Sequence, residues 1–213
     1  MIKILVVDDH ALIRKGIKQL LEDSPDMKIT GEAEIGMQAI SLIRKNYYDL
    51  VLLDIVLPDK HGMDVLKQIK AEQPGIKIIV LSAHPEDQYG VRALKAGASG
   101  YINKQSSPEK LVGAIRQVIS GKKFISEHLA EQLLNNLIGE YPELMHQSLS
   151  NREYQTLCLM ASGKSLTEIS KAMLISPKTV SVYRARMLEK MSFKNNAEVI
   201  RYAITHHLTD NQG

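Results

Sequence analysis

Five times between residues 3 and 121 a short run rich in Val, Ile and Leu is followed by a stretch whose apolar residues recur at helical spacing. The runs are "KILVVDD", "MKITGEAE", "DLVLLD", "KIIVLSA" and "SGYIN". The stretches are "ALIRKGIKQLLED", "GMQAISLIRKN", "MDVLKQIKAEQ", "DQYGVRALKAG" and "SPEKLVGAIRQVISG". In the first stretch, Leu12, Ile13, Gly16, Ile17, Leu20 and Leu21 have helical spacing. In the last, Ser107 suits an N-cap, Pro108 the first helical position, and Gly121 the residue past the end. Strands that read as continuous apolar runs need cover on both faces, and the alternating helices supply it. The pattern predicts an α/β domain with a doubly wound, five-stranded parallel sheet.

Sheets of this kind bind ligands at the carboxyl ends of their strands. The first run ends in Asp8 and Asp9, the third in Asp54, the fourth in Ser82, and the fifth is followed by Lys104. Asp54 alone is as consistent with an ordinary strand-end acid as with a reactive one. The set of five is more telling. Three clustered carboxylates raise one another's pKa unless a cation neutralises them. Oxygen-only ligands suit Mg²⁺, which keeps several waters and shares phosphate oxygens. A metal together with Lys104 stabilises charge on a transferring phosphoryl group, and Asp is a covalent phosphoryl acceptor in other enzymes.

Residues 1–122 resemble the flavodoxin-like receiver domain of bacterial two-component response regulators. The matching elements are "VVDDH", "LLDIVLPDKHG" with Pro58 and Gly62, "VLSA" and "GYINK". The resemblance implies that Asp54 accepts a phosphoryl group from a sensor histidine kinase or phosphotransfer domain. It implies that Asp9, Asp54 and the main-chain carbonyl of Val56 ligate Mg²⁺, with Asp8 acting mainly through water. Ser82 and Lys104 would hold phosphate oxygens, and Tyr101 would swing inward on activation. From packing alone, a Tyr in a short strand is half-buried filler. His10 and His61 flank the acids, but without a Cys/His cluster of zinc-like spacing they are expected to be solvated loop residues.

The last third is helical and basic, with nine Lys/Arg against five Asp/Glu in residues 149–213. Ser150 with Glu153, and Ser165 with Glu168, have capping-box spacing, and Ser176 precedes Pro177 as an N-cap. A helix from Ser165, a turn of about four residues near Leu174 to Ser176 and a second helix to Met191 form the layout of a helix-turn-helix. "SGKS" at 162–165 is no phosphate loop, because Cys158 stands where Walker A needs Gly and no strand precedes it. Cys158 itself lies in apolar "LCLMA" and is expected to be a buried thiol.

This segment resembles the tetrahelical DNA-binding domain of NarL/FixJ (LuxR-type) regulators through "LSNRE", "ASGKSLTEIS", "LISPKTVSVY" and "LEKM", and "SPKTVSVYRARM" is similar to the GacA/UvrY branch. Two departures stand out: Tyr183 where the family commonly has His, and Ser181 where it commonly has Lys. On a helix over 177–191, Val180, Tyr183, Met187 and Met191 share a face that is expected to pack on the core. Lys178, Thr179, Ser181, Val182, Arg184, Ala185 and Arg186 are expected to meet double-stranded DNA. Such domains pair on two-fold sites, so a homodimer is expected when the protein is phosphorylated.

The expected organisation is a receiver over 1–122, a linker with a short helix near 126–137 over 123–148, and a tetrahelical domain over 149–213. No run of eighteen apolar residues and no leader pattern is visible, so neither a membrane span nor secretion is expected, and the cytoplasm is the default location. Two other functions compete with a non-enzymatic DNA-binding regulator. One is a receiver whose helical output domain binds protein. The other is a phosphoaspartate-using phosphatase, which needs a second Asp two residues past the nucleophile, where this chain has Val56.

Overall fold

The computed structural model describes residues 1–84, 86–138, 144–206 and 208. The chain divides into two compact units, Met1–Ala130 and Glu131–Gly213. In the first, strands β1 (Ile2–Val7), β2 (Met27–Ala33), β3 (Leu50–Asp54), β4 (Lys77–Ser82) and β5 (Gly100–Asn103) alternate with helices α1 (Ala11–Glu22), α2 (Gly36–Lys45), α3 (Gly62–Glu72), α4 (Glu86–Lys95) and α5 (Pro108–Ile119). The sheet is parallel throughout, in the order β2-β1-β3-β4-β5.

Strand alternation divides the core. Ile4, Val6, Leu50, Leu52, Ile79, Leu81 and Ile102 pack with Ile17 and Leu21 of α1 and with Leu111, Ala114, Ile115 and Val118 of α5. The intervening residues Leu5, Val7, Val51, Leu53, Ile78 and Val80 point to the other face and are buried as well. The continuous apolar runs are thus explained by two covered faces. Leu12 departs from its expected place: it is 84% exposed, on the side of α1 away from Ile17 and Leu21, whereas Ile13 and Arg14 of the same turn are covered. Ser107 occupies the N-cap of α5, but its hydroxyl bonds the Glu109 carboxylate rather than a backbone N–H.

The strand order reverses direction around β1 and β3, so the carboxyl ends of these neighbours open a crevice between their connections. Gly62 is needed beside it. A Cβ there would fall 2.0 Å from the main-chain oxygen of Asp54, and the Gly62 N–H donates to the Ile55 carbonyl across 2.7 Å.

Helix α6 (Glu127–Ile138) contains the division between the units. The expected linker stretch 139–143 lies outside the described residues. Met145–Ser148, also expected as linker, is a 3-10 helix whose His146 is buried against Tyr154 and Tyr202. Helices α7 (Asn151–Ala161), α8 (Leu166–Met173), α9 (Pro177–Lys190) and α10 (Asn196–Thr205) complete the second unit. Both capping boxes form, at Ser150–Glu153 and Ser165–Glu168. Ser176 caps α9 by accepting from the Thr179 N–H at 3.1 Å. The turn between α8 and α9 is closed by Leu174 in the left-handed conformation, φ 53°, with its side chain exposed. Cys158 is buried, as its flanks implied. Among the described residues no helix is long and apolar enough to cross a membrane.

Candidate functional site: a carboxylate pocket and a helix-turn-helix

Asp8 and Asp54 are buried at the ends of β1 and β3, 0% and 2% exposed. Asp9 and His10 lie at the rim, and ligand atoms from Asp8, Asp9, His10 and Asp54 all fall within 4.8 Å of one another. The Lys104 ammonium, reaching from beyond β5, stands 2.7 Å from Asp54 Oδ2 and 2.6 Å from Asp8 Oδ2. Asp54 Oδ1 also accepts from the Val56 N–H at 3.2 Å. Burial, reinforced by the Asp8 charge, holds the Asp54 carboxyl above its ordinary range in spite of Lys104. Burial works against the Lys104 ammonium too, but Asp54 and Asp8 outweigh it and raise its pKa. One cation therefore offsets two buried carboxylates and a third at the rim. The three carboxylates of that cluster, carrying surplus negative charge, fit a hard divalent ion such as Mg²⁺, with the His10 nitrogen at the rim beside them.

Ser82 is fully buried at the end of β4 and accepts from the His84 N–H at 3.0 Å. Tyr101 is buried in β5, and its hydroxyl donates to the His84 carbonyl at 2.9 Å. Val56 sits in the loop after β3, bridged antiparallel to His61. The pocket thus gathers Asp8, Asp9, Asp54 and Lys104 directly, with Ser82 and Tyr101 meeting at His84.

Of the two histidines, His61 departs from its expected solvation. His61 is buried, caps α3 by accepting from the Met63 N–H through Nδ1, and packs on Tyr89. His10 is exposed, yet its Nδ1 lies 2.8 Å from Asp9 Oδ1 and 3.2 Å from Asp8 Oδ1. Sequence reasoning also passed over Arg14. Its spacing with Ile17 and Leu21 places it on the buried stripe of α1, which was a legible signal.

On α9, Val180 and Met187 are buried, and Met191 is buried just past its end. Tyr183 is half-buried rather than fully in the core. Lys178, Ser181, Val182, Ala185 and Arg186 are exposed, while Thr179 and Arg184 are half-buried. Two ties were not foreseen. Arg184 donates to Asn196 Oδ1 of α10 through Nε and Nη2, at 2.9 and 2.7 Å. Lys190, at the far end of α9, bonds the buried Glu153 carboxylate of α7 at 2.7 Å.

The chain belongs to the response regulators that join a receiver domain to a LuxR-type DNA-binding domain, and is a DNA-binding transcription regulator of the two-component class. Residues 4–116 match the response regulator receiver domain, and residues 147–203 match the bacterial regulatory proteins of the luxR family. The response regulator UvrY of Escherichia coli (strain K12) is 38% identical over 209 residues, covering 98% of this chain and 96% of that protein. The response regulator GacA of Pseudomonas aeruginosa PAO1 is 37% identical over 211 residues, covering 99% of each. Among solved structures, RcsB of Salmonella enterica serovar Typhimurium bound to promoter P1flhDC with the phosphomimetic BeF3⁻ aligns with a TM-score of 0.66 and 26% identity, over 96% of this chain and 98% of that one. A structure of two RcsB dimers on two parallel DNAs aligns with a TM-score of 0.60, 27% identity and the same coverage.

Proposed function

We propose that Asp54 is the phosphoacceptor of this regulator and that its phosphorylation controls DNA binding by α9. The observation that carries the reading is the buried Asp54 carboxylate held by Lys104 beside Asp8 and Asp9. An Asp54 oxygen attacks the phosphorus of a phosphohistidine on a sensor kinase or phosphotransfer domain; the P–O bond forms as the P–N bond breaks and the imidazole leaves. Lys104 turns from its ion pair to a phosphoryl oxygen, and the Ser82 hydroxyl donates to another. Asp9, Asp54 and the Val56 carbonyl would hold Mg²⁺, with Asp8 acting through water, and the ion would supply positive charge against the phosphoryl oxygens. Tyr101 couples the state of Ser82 to the β4–α4 loop through His84, where both already bond.

At the output end, Lys178, Thr179, Ser181, Val182, Ala185 and Arg186 face double-stranded DNA, with Arg184 held by Asn196 at the edge of that surface. The exposure of the early α9 residues supports this, since recognition helices present their N-terminal residues to base edges. The phosphorylated protein pairs as a homodimer. It acts in the cytoplasm, with functional limits at 1–122 for the receiver, 123–148 for the linker and 149–213 for the DNA-binding domain.

Acetyl phosphate with Mg²⁺ is expected to add about 80 Da to the intact protein, the mass of one phosphoryl group. Asp54→Asn is expected to abolish the gain, and so is omission of Mg²⁺. Undiminished labelling of Asp54→Asn overturns the assignment.

A further inference from the structure

Arg14 is a buried arginine whose side chain does not face the pocket but is tied to the main chain beneath it. It leaves α1 and turns back toward the end of β1. Nη1 donates to the Asp8 carbonyl at 2.7 Å, Nε to Glu32 Oε2 at 3.1 Å, and Nη2 to Glu34 Oε1 at 2.6 Å. Asp8 is thereby held at both backbone groups, because its N–H donates to the Ala33 carbonyl of β2 at 3.1 Å. Its side chain is engaged as well: Oδ1 accepts from the His10 N–H at 2.9 Å. The peptide between Asp8 and Asp9 is thus held at its carbonyl, and the peptide before it at its N–H. Asp8 is buried and could be placed by packing alone, but the Asp9 side chain stands at the rim, one-third exposed, steered by that peptide and by His10 Nδ1 2.8 Å from its Oδ1.

We propose that Arg14 is a positioning residue of the cation pocket. By gripping the Asp8 carbonyl and anchoring itself on Glu32 and Glu34, it aims the Asp9 carboxylate and so sets affinity for a divalent ion. The proposal rests on the reading of Asp8, Asp9 and Asp54 as cation ligands. A guanidinium suits the task because its planar fork serves three acceptors at fixed angles: the Asp8 carbonyl after β1, Glu32 on β2 and Glu34 just past its end. A lysine has the charge and the donors but not the plane, so it can keep the carbonyl while losing geometry.

The test is direct binding of Mn²⁺ to the full-length, unphosphorylated protein, followed by electron paramagnetic resonance, with thermal unfolding in the absence of metal as the parallel measurement. Asp9→Asn is expected to lose most Mn²⁺ affinity without a matching loss of melting temperature. Arg14→Met is expected to weaken Mn²⁺ binding by roughly tenfold, the scale for groups that orient metal ligands, with Arg14→Lys in between. The pair Glu32→Gln and Glu34→Gln leaves neutral acceptors for the guanidinium and is expected to hold affinity within about twofold of the parent, well inside that range. If Arg14→Lys and Arg14→Met bind Mn²⁺ as the parent does while Asp9→Asn does not, Arg14 is a packing residue and the proposal is overturned. If the parent itself binds no Mn²⁺, the cation reading of the pocket fails first, and the proposal with it. Should Arg14→Met not fold, the Arg14→Lys result decides.

Discussion

Tyr101 donates its hydroxyl to the carbonyl of His84, 2.9 Å away, although seventeen residues separate them in the chain. The same His84 gives its N–H to the Ser82 hydroxyl. One residue after β4 is therefore held through its carbonyl by a β5 aromatic and through its N–H by a pocket hydroxyl. Removing the phenol oxygen in Tyr101→Phe is expected to cost about 1 kcal/mol in urea unfolding, the net worth of one such bond. Tyr101→Ala, which also empties the ring's space, is expected to cost about 3–5 kcal/mol. If Tyr101→Phe is neutral in stability and in the rate of labelling by acetyl phosphate, the hydroxyl plays no part in the switch.

Gly62 is expected to tolerate no side chain. A Cβ would meet the Asp54 carbonyl at 2.0 Å and the Ile55 Cα at 2.7 Å, both main-chain atoms that cannot swing away. Gly62→Ala should destabilise by about 1–3 kcal/mol through forced backbone movement. Because the movement starts at Asp54, labelling by acetyl phosphate should fall further than stability alone explains. Measuring both on one preparation, well below the melting temperature, separates the effects.

Glu153 gives the DNA-binding unit a pH dependence of known sign. Burial pushes its carboxyl up, but Lys190 and the Ser150 N–H and hydroxyl outweigh it and hold the folded-state pKa below the ordinary value. A depressed carboxyl contributes its full stability above the unfolded pKa, about 4.3, and loses it as pH falls through the folded value. Unfolding curves of the parent and Glu153→Gln should therefore differ at pH 7 and converge in acid. A gap that persists unchanged at low pH removes the ion pair from the explanation.

For the recognition helix the expected outcomes divide by residue. Lys178→Ala should weaken binding to all DNA sequences and reduce the salt slope by about one. Val182→Ala should instead shift preference among operator variants by roughly 1 kcal/mol at one base pair, through a lost thymine-methyl contact. Fluorescence anisotropy over a salt series reads both, and an unchanged slope for Lys178→Ala means that α9 is oriented differently on DNA.

Beryllofluoride with Mg²⁺ should shift the full-length protein from monomer to dimer in light scattering at micromolar concentration. By resemblance the pairing surface is expected on the α4–α5 side. The exposed Leu12 beside an apolar groove of about 270 Å³ between α1 and α5 supplies a discriminating variant. Leu12→Asp leaves dimerisation intact if α4–α5 pairs and breaks it if α1–α5 does. An unchanged mass with beryllofluoride sinks the expectation of pairing.

The five strands and the convergence of Asp8, Asp54 and Lys104 were legible because parallel strands buried on both faces leave one plain signature, and their polar ends stand out against it. What the sequence concealed depends on contacts that no local pattern encodes. His61 reads as a loop residue until the chain after β3 folds back and pairs Val56 with it. Arg184 and Lys190 look like free surface cations in sequence, because their partners Asn196 and Glu153 lie on other helices.

The pocket draws Asp8, Asp54 and Lys104 from three strands whose nearest members are 46 residues apart in the chain. No fragment of the receiver can assemble it, since β1 and β3 pair directly while Lys104 arrives only after β5 has joined β4. A nascent chain is therefore deaf to its signal until more than a hundred residues have left the ribosome and found their register. With Asp54 as the proposed phosphoacceptor, chemistry at this pocket doubles as proof of correct folding, and a misfolded regulator would not compete for the phosphoryl group meant for a working one.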